Sequence, residues 1–130
     1  MKRMIMPVLL FGALTLIGFA FAPKISAQAQ EKETVVVEIT EPLKLLDTML
    51  QGSYIFEHDE GRMAKGEPCM YVYANNNGKP GKLVTSFHCT PVDRDLAKNV
   101  VLSVMVTSEP GVWKLKEIQF PGTKKGHLIP

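Results

Sequence analysis

The chain has 130 residues, with 15 Lys and Arg against 13 Asp and Glu, a formal net charge of +2, and two cysteines. Three of the basic residues, Lys2, Arg3 and Lys24, lie in an N-terminal leader; without them 12 basic residues face the same 13 acidic ones, a net charge of −1. That balance excludes a basic surface of the kind that supplies phosphate-contact affinity, so nucleic acid is not an expected partner, and residues 30–130 suffice for one domain but not two.

The leader has the order of a secretory signal peptide: Lys2 and Arg3, an apolar run of 15 residues over 8–22, and Ala27-Gln28-Ala29 as a small-x-small cleavage signal. The apolar run is shorter than the ~20 residues a helix needs to span a bilayer. Residues 1–29 are therefore expected to be cleaved and the mature chain to begin at Gln30. This implies a periplasmic or extracellular protein with no membrane association after cleavage.

Residues 30–33 are polar and read as a disordered lead-in to a domain over 34–130. "TVVVEIT", 34–40, is dense in β-branched residues and predicts a strand ended by Pro42. In "PLKLLDTMLQG", 42–52, Leu43, Leu46 and Leu50 fit a helical face, whereas Leu43 and Leu45 before a turn near Asp47-Thr48 fit a short strand. The strand is the reading adopted. "SYIFEH", "CMYVYA", "KLVTSFHC", "NVVLSVMVT" and "VWKLKEIQF" follow as short β-rich runs divided by turn chemistry. "NNNGKPGK" joins the second and third as a hairpin, and "SEPG" joins the last two. The fold class predicted is all-β: one small antiparallel sandwich or partly open barrel with one cross-strand disulfide.

"LQGSYIFE", 50–57, preceded by "TVVVEITEPLKL" and followed by "FPGTKKGH", 120–127, resembles small secreted bacterial all-β proteins that carry an L-x-x-G-[ST]-Y-x-F strand and a closing aromatic-Pro-Gly segment before Gly-His. The resemblance spans most of the mature chain. It implies a β fold and a turn centred on Gly52, and carries over no functional residue.

Two cysteines in an exported chain have a disulfide as their default state. Pro80 cannot donate to a ladder, so the hairpin is expected to centre near Lys79, which sets Cys69 directly opposite Cys89. Tyr71 then faces Phe87, Tyr73 faces Thr85, and His88 faces Met70 on the other side of the sheet. A two-residue Asn77-Gly78 turn is the competing register and would move the cysteines out of alignment. Because neighbouring strand residues point to opposite faces, His88 and Cys89 are not expected to share a metal.

No catalytic motif is present: the serines lie in no nucleophile elbow, and a bridged cysteine is no nucleophile. The polar stretch "EHDEGRMAKGEPC", 57–69, lacks calcium-loop spacing and reads as a solvated surface loop. His127, near the chain end, is expected to fray, and Met49 and Met105 to fill the core. Trp113 and Leu115 share one parity and Ile118 and Phe120 the other, which predicts a bulge between the pairs or a strand covered on both faces. The functional expectation is a non-enzymatic binding or structural module, a monomer or weak oligomer, with an unknown protein or small-molecule ligand and no cofactor. The alternative is a periplasmic copper or haem protein using His88 and Met70, joined by His58 or Met63.

Overall fold

The computed structural model describes residues 32–130, so the expected signal peptide lies outside the described residues. The elements are β1 (Lys32–Leu45), β2 (Thr48–Asp59), α1 (Glu60–Ala64), β3 (Met70–Asn76), β4 (Lys79–Phe87), β5 (Thr90–Asp93), β6 (Val101–Val106), β7 (Trp113–Gln119) and β8 (Lys125–Leu128). They form one curled eight-stranded sheet, a half-barrel in a single domain. Of the two architectures the pattern allowed, the partly open barrel is the one that forms.

β1 is longer than "TVVVEIT" suggested, at both ends. It starts at Lys32, so Lys32 and Glu33 pair with Asp59 and His58 instead of fraying. It also runs through Pro42 to Leu45, because the register shifts between Ile39 and Leu43 and the proline falls inside that irregularity, where a missing N–H costs no ladder bond. Gly52 is not the centre of a turn. It sits within β2 opposite Ile39, at the start of the same irregularity, with a φ of 118° that only glycine adopts without strain. The turn lies instead at Leu46-Asp47, with Leu45 opposite Thr48, as the strand reading of 42–51 required.

The β3–β4 hairpin corrects the expected register. Asn77 and Gly78 have φ of 53° and 83° and form a two-residue turn flanked by Asn76 opposite Lys79, as right-handed strand twist favours. Irregularities at Val72/Tyr73 and Tyr73/Asn75 then slide the pairing, so Met70 faces Phe87, Tyr71 faces Ser86 and Tyr73 faces Leu83. The expected Tyr71–Phe87, Tyr73–Thr85 and Met70–His88 pairs do not form. Cys69 and Cys89 lie just beyond the last paired residues and are bridged, with Cα atoms 6.2 Å apart, inside the range a disulfide requires.

The strand order is β4-β3-β2-β1-β7-β8-β5, with β6 pairing only with β7. β4 and β5 thus stand at opposite ends of this path, yet only His88 and Cys89 separate them in the chain. Two linking residues, three Cα-to-Cα steps, span at most ~11 Å, so the sheet has to curl until its ends meet at that point. The curl encloses Phe56, Leu45, Leu50, Met70, Val72, Leu115, Ile118 and Phe120, none more than 1 % exposed; burying each such side chain contributes roughly 1.5–3 kcal/mol.

In β7, Leu115 pairs with Val104 but Glu117 with Ser103, a bulge that accounts for the parity switch between Leu115 and Ile118. β5 and β8, too short and polar to read as strands, pair with each other, and β8 pairs with β7. Met49 and Met105 are nearly half exposed and fill no core.

β8 is seated by an ion pair between the exposed Arg94 and the buried Glu117. Arg94 donates from Nε and Nη2 to the two carboxylate oxygens of Glu117 at 2.9 and 2.6 Å, and holds that carboxyl below the usual carboxylate range. Gly126 lies beneath it: a Cβ there would stand 2.5 Å from Glu117 Oε2 and 2.9 Å from its Cδ. Gly126→Ala is expected to displace the carboxylate and destabilise the fold by about 1–3 kcal/mol. Urea midpoints of the two proteins measure this, and a difference below about 0.5 kcal/mol would show that Glu117 moves aside freely.

Candidate metal centre

At the point where the curl closes, five strand ends and connections bring together side chains far apart in sequence. Glu33 is near the start of β1, His58 near the end of β2, Cys69 just before β3, Cys89 between β4 and β5, and His127 within β8. Glu33 and His58 are direct pairing partners, as are His58 and Met70, so these three side chains share one face of the sheet. His127 pairs with Ile118 across β7, and Ile118 is fully buried. Phe120 borders the cluster, its ring centroid 6.3 Å from that of His58 and 5.9 Å from that of His127.

His58 and His127 are 1 % and 3 % exposed, and their rings stack with centroids 4.0 Å apart at 30°. His127 Nε2 stands 3.9 Å from Glu33 Oε2, and its other nitrogen, Nδ1, stands 3.8 Å from Cys89 Sγ. Both nitrogens of His58, together with His127 Nε2 and Glu33 Oε2, are buried without a hydrogen-bonding partner among the described residues. An unpartnered buried polar group costs about 1–3 kcal/mol, and four meeting at one place make a site that a water or an ion would satisfy. Burial, and next the charge of His127, push the His58 pKa down to about 4, against the smaller opposing pull of Glu33 and Asp59. His58 is therefore a neutral imidazole at physiological pH, with a lone pair available.

Donor atoms of Glu33, His58 and His127 all lie within 4.8 Å of one another, as do those of His58, Cys69 and Cys89. Two imidazoles and a carboxylate are a ligand set for late first-row divalent ions. Nitrogen ligands at ~2.0–2.1 Å from such an ion are themselves ~3.3 Å apart, so the two rings, stacked here, would have to turn toward a shared ion to ligate it together.

The surroundings hold this end of the barrel together. The Asp59 N–H donates to the Cys69 carbonyl at 2.8 Å, closing the loop that carries α1. The Asp59 carboxylate accepts the N–H of Arg62 at 3.1 Å, and the Arg62 guanidinium lies 4.4 Å from the Tyr71 ring centroid. The stretch 57–69 is thus not a wholly solvated loop: His58 and Asp59 end β2 and are buried, and only α1 and the residues after it are largely exposed.

The residues singled out from the sequence divide. His58 is in the cluster. Among the described residues His88 is exposed and joins no other candidate ligand, Met63 is 37 % exposed on α1, and Met70 lies in the core beside His58 in register, opposite Phe87. Glu33 and His127, expected to be disordered and frayed, are the two residues the sequence reading missed. One signal for Glu33 existed: it shares the parity of Val35, Val37 and Ile39, the inward side of β1. Trp113 is 40 % exposed and lines a separate shallow groove of mixed character, with Ile39, Pro42 and Leu43 beside Glu38, Thr40 and Glu41. Among the described residues no helix is long and apolar enough to cross a membrane. No protein-family model matches this chain, and neither a curated protein nor a solved structure is significantly similar to it.

Proposed function

We propose that the protein is an exported, non-enzymatic β-module that binds one zinc(II) or copper(II) ion through Glu33, His58 and His127. The observation that carries this reading is the convergence of four buried, unpartnered polar atoms from these three residues at one place in the fold. Imidazole nitrogen suits both ions, and the carboxylate would offset part of the ion's charge in a site otherwise walled by apolar groups. Export is supported by the signal-like leader and by the disulfide, which persists in oxidising compartments.

Calorimetric titration of the mature, chelator-treated protein with zinc(II) and with copper(II) is expected to give one equivalent bound. His58→Leu and His127→Leu, which keep the apolar volume, should each weaken binding by more than the roughly 10- to 100-fold that an outer-shell partner is worth. Zinc should raise the melting temperature of the parent protein and not that of either variant. His88→Ala should bind as the parent does. No binding, or binding that survives in His58→Leu and His127→Leu while vanishing in His88→Ala, would sink this reading.

A further inference from the structure

The disulfide is positioned to change the ligand set of this same centre. Cys89 is the more accessible of the two cysteines, half-buried where Cys69 is 1 % exposed. The backbone N–H of Cys89 donates to Cys69 Sγ at 3.0 Å, a contact that stabilises negative charge on that sulfur. On the other side Cys89 Sγ is 3.8 Å from His127 Nδ1, and a ring nitrogen of His58 lies within 4.8 Å of both sulfurs. His127 therefore faces Glu33 with one nitrogen and a cysteine sulfur with the other, while His58 belongs to both sets of donors.

We infer that Cys69–Cys89 is a redox switch on the metal site: a dithiol reductant opens it, and the freed thiolates of Cys69 and Cys89 join His58 in a soft site for zinc(II) or copper(I). A thiolate of the reductant attacks Cys89 Sγ, forms a mixed disulfide and expels the Cys69 thiolate. The reductant's second thiolate then attacks its own sulfur in that mixed disulfide, expelling the Cys89 thiolate and leaving the reductant as a cyclic disulfide. Two electrons pass from the dithiol to the cystine, and the two thiol protons of the reductant pass to solvent as the incoming metal takes the two cysteine sulfurs in thiolate form. Soft sulfur donors then outweigh the carboxylate, so the centre exchanges Glu33 and His127 for two thiolates around His58 and binds zinc(II) or copper(I) more tightly.

This inference rests on His58 being a metal ligand, as proposed above, and its test separates the two. Mature protein is reduced with dithiothreitol, freed of reductant under anaerobic conditions, and titrated with cobalt(II) beside the untreated disulfide form. The reduced form is expected to show an intense near-ultraviolet thiolate-to-cobalt band, and the disulfide form to bind cobalt(II) without it. One equivalent of zinc(II) should protect both thiols of the reduced protein from iodoacetamide, at an affinity at least about tenfold above that of the disulfide form. In His58→Leu the reduced protein should lose that protection, and Cys69→Ser/Cys89→Ser should bind like the disulfide form. No thiolate band, alkylation indifferent to zinc(II), or a reduced chain that stays unfolded by circular dichroism with cobalt present each overturns the switch. A disulfide form that binds no metal while the reduced form gives the band would overturn the carboxylate site and leave the thiolate site standing.

Discussion

Replacing both Cys69 and Cys89 by serine is expected to lower the stability of the metal-free protein by roughly 3 kcal/mol, the value that chain entropy assigns to a ring of this size. The bridge closes a ring whose ends are 20 residues apart in sequence. A β3–β4 hairpin retained in the denatured chain reduces the effect, because part of the ring is then already closed without the bond. The location works the other way. Cys89 is one of only two residues joining β4 to β5, so the bond also holds the two ends of the sheet path against each other. For a domain of this size 3 kcal/mol corresponds to a melting temperature lower by on the order of 15 °C. Urea unfolding of the parent and double variant, both chelator-treated, measures the difference directly. Midpoints that coincide would mean that strand pairing alone holds the closure.

The second large effect is sensitivity to acid centred on His58. Its pKa in the folded protein is about 4, lowered first by burial and next by the charge of His127, and opposed by Glu33 and Asp59; in the unfolded chain it returns to 6.5. Between these values the unfolded chain binds a proton that the folded protein does not, so falling pH favours unfolding. The contribution of neutral His58 is complete above pH 6.5, diminishes as the pH drops toward 4, and is lost below that. Across the window it amounts to at most about 3 kcal/mol. Unfolding free energies of chelator-treated protein at pH 7, 5.5 and 4.5, with His58→Leu measured in parallel, isolate this group from the carboxylates that titrate beside it. The parent should lose more stability than the variant over this range. Parallel curves for the two proteins would show that His58 is not held neutral by the fold.

Local chemistry made the strands readable and limited what could be read about their alignment. Apolar residues alternating with polar ones mark β1 and the first half of β7, whose inward residues are buried, whereas β6 is apolar along most of its length and largely exposed. β5 and β8 carry no such pattern: four residues each, containing Pro91 and Gly126, they are strands because they pair with each other and β8 pairs with β7. The β3–β4 hairpin shows the limit most plainly. Asn77-Gly78 prefers a two-residue turn, and taken alone that turn misaligns Cys69 and Cys89. The irregularities around Tyr73 restore their approach, and a bulge is selected by packing on both faces of the sheet, which no local motif encodes.

The same division runs through the candidate centre. The sequence offers His58 only as a loop residue that joins His88 and Met70, and the two cysteines as partners for one another. By itself the amino-acid order determined the β class, the main strands, the cysteine pairing and the polarity that allows a metal ligand at each position. Only the tertiary structure decided that Glu33, near the first described residue, and His127, three residues from the last, face His58. The physical reason is the curl. Side-chain period along a strand says which face a residue occupies, but the distance between residues on distant strands depends on how far the sheet bends before its ends meet, and here that bend is imposed by the two-residue link at His88-Cys89.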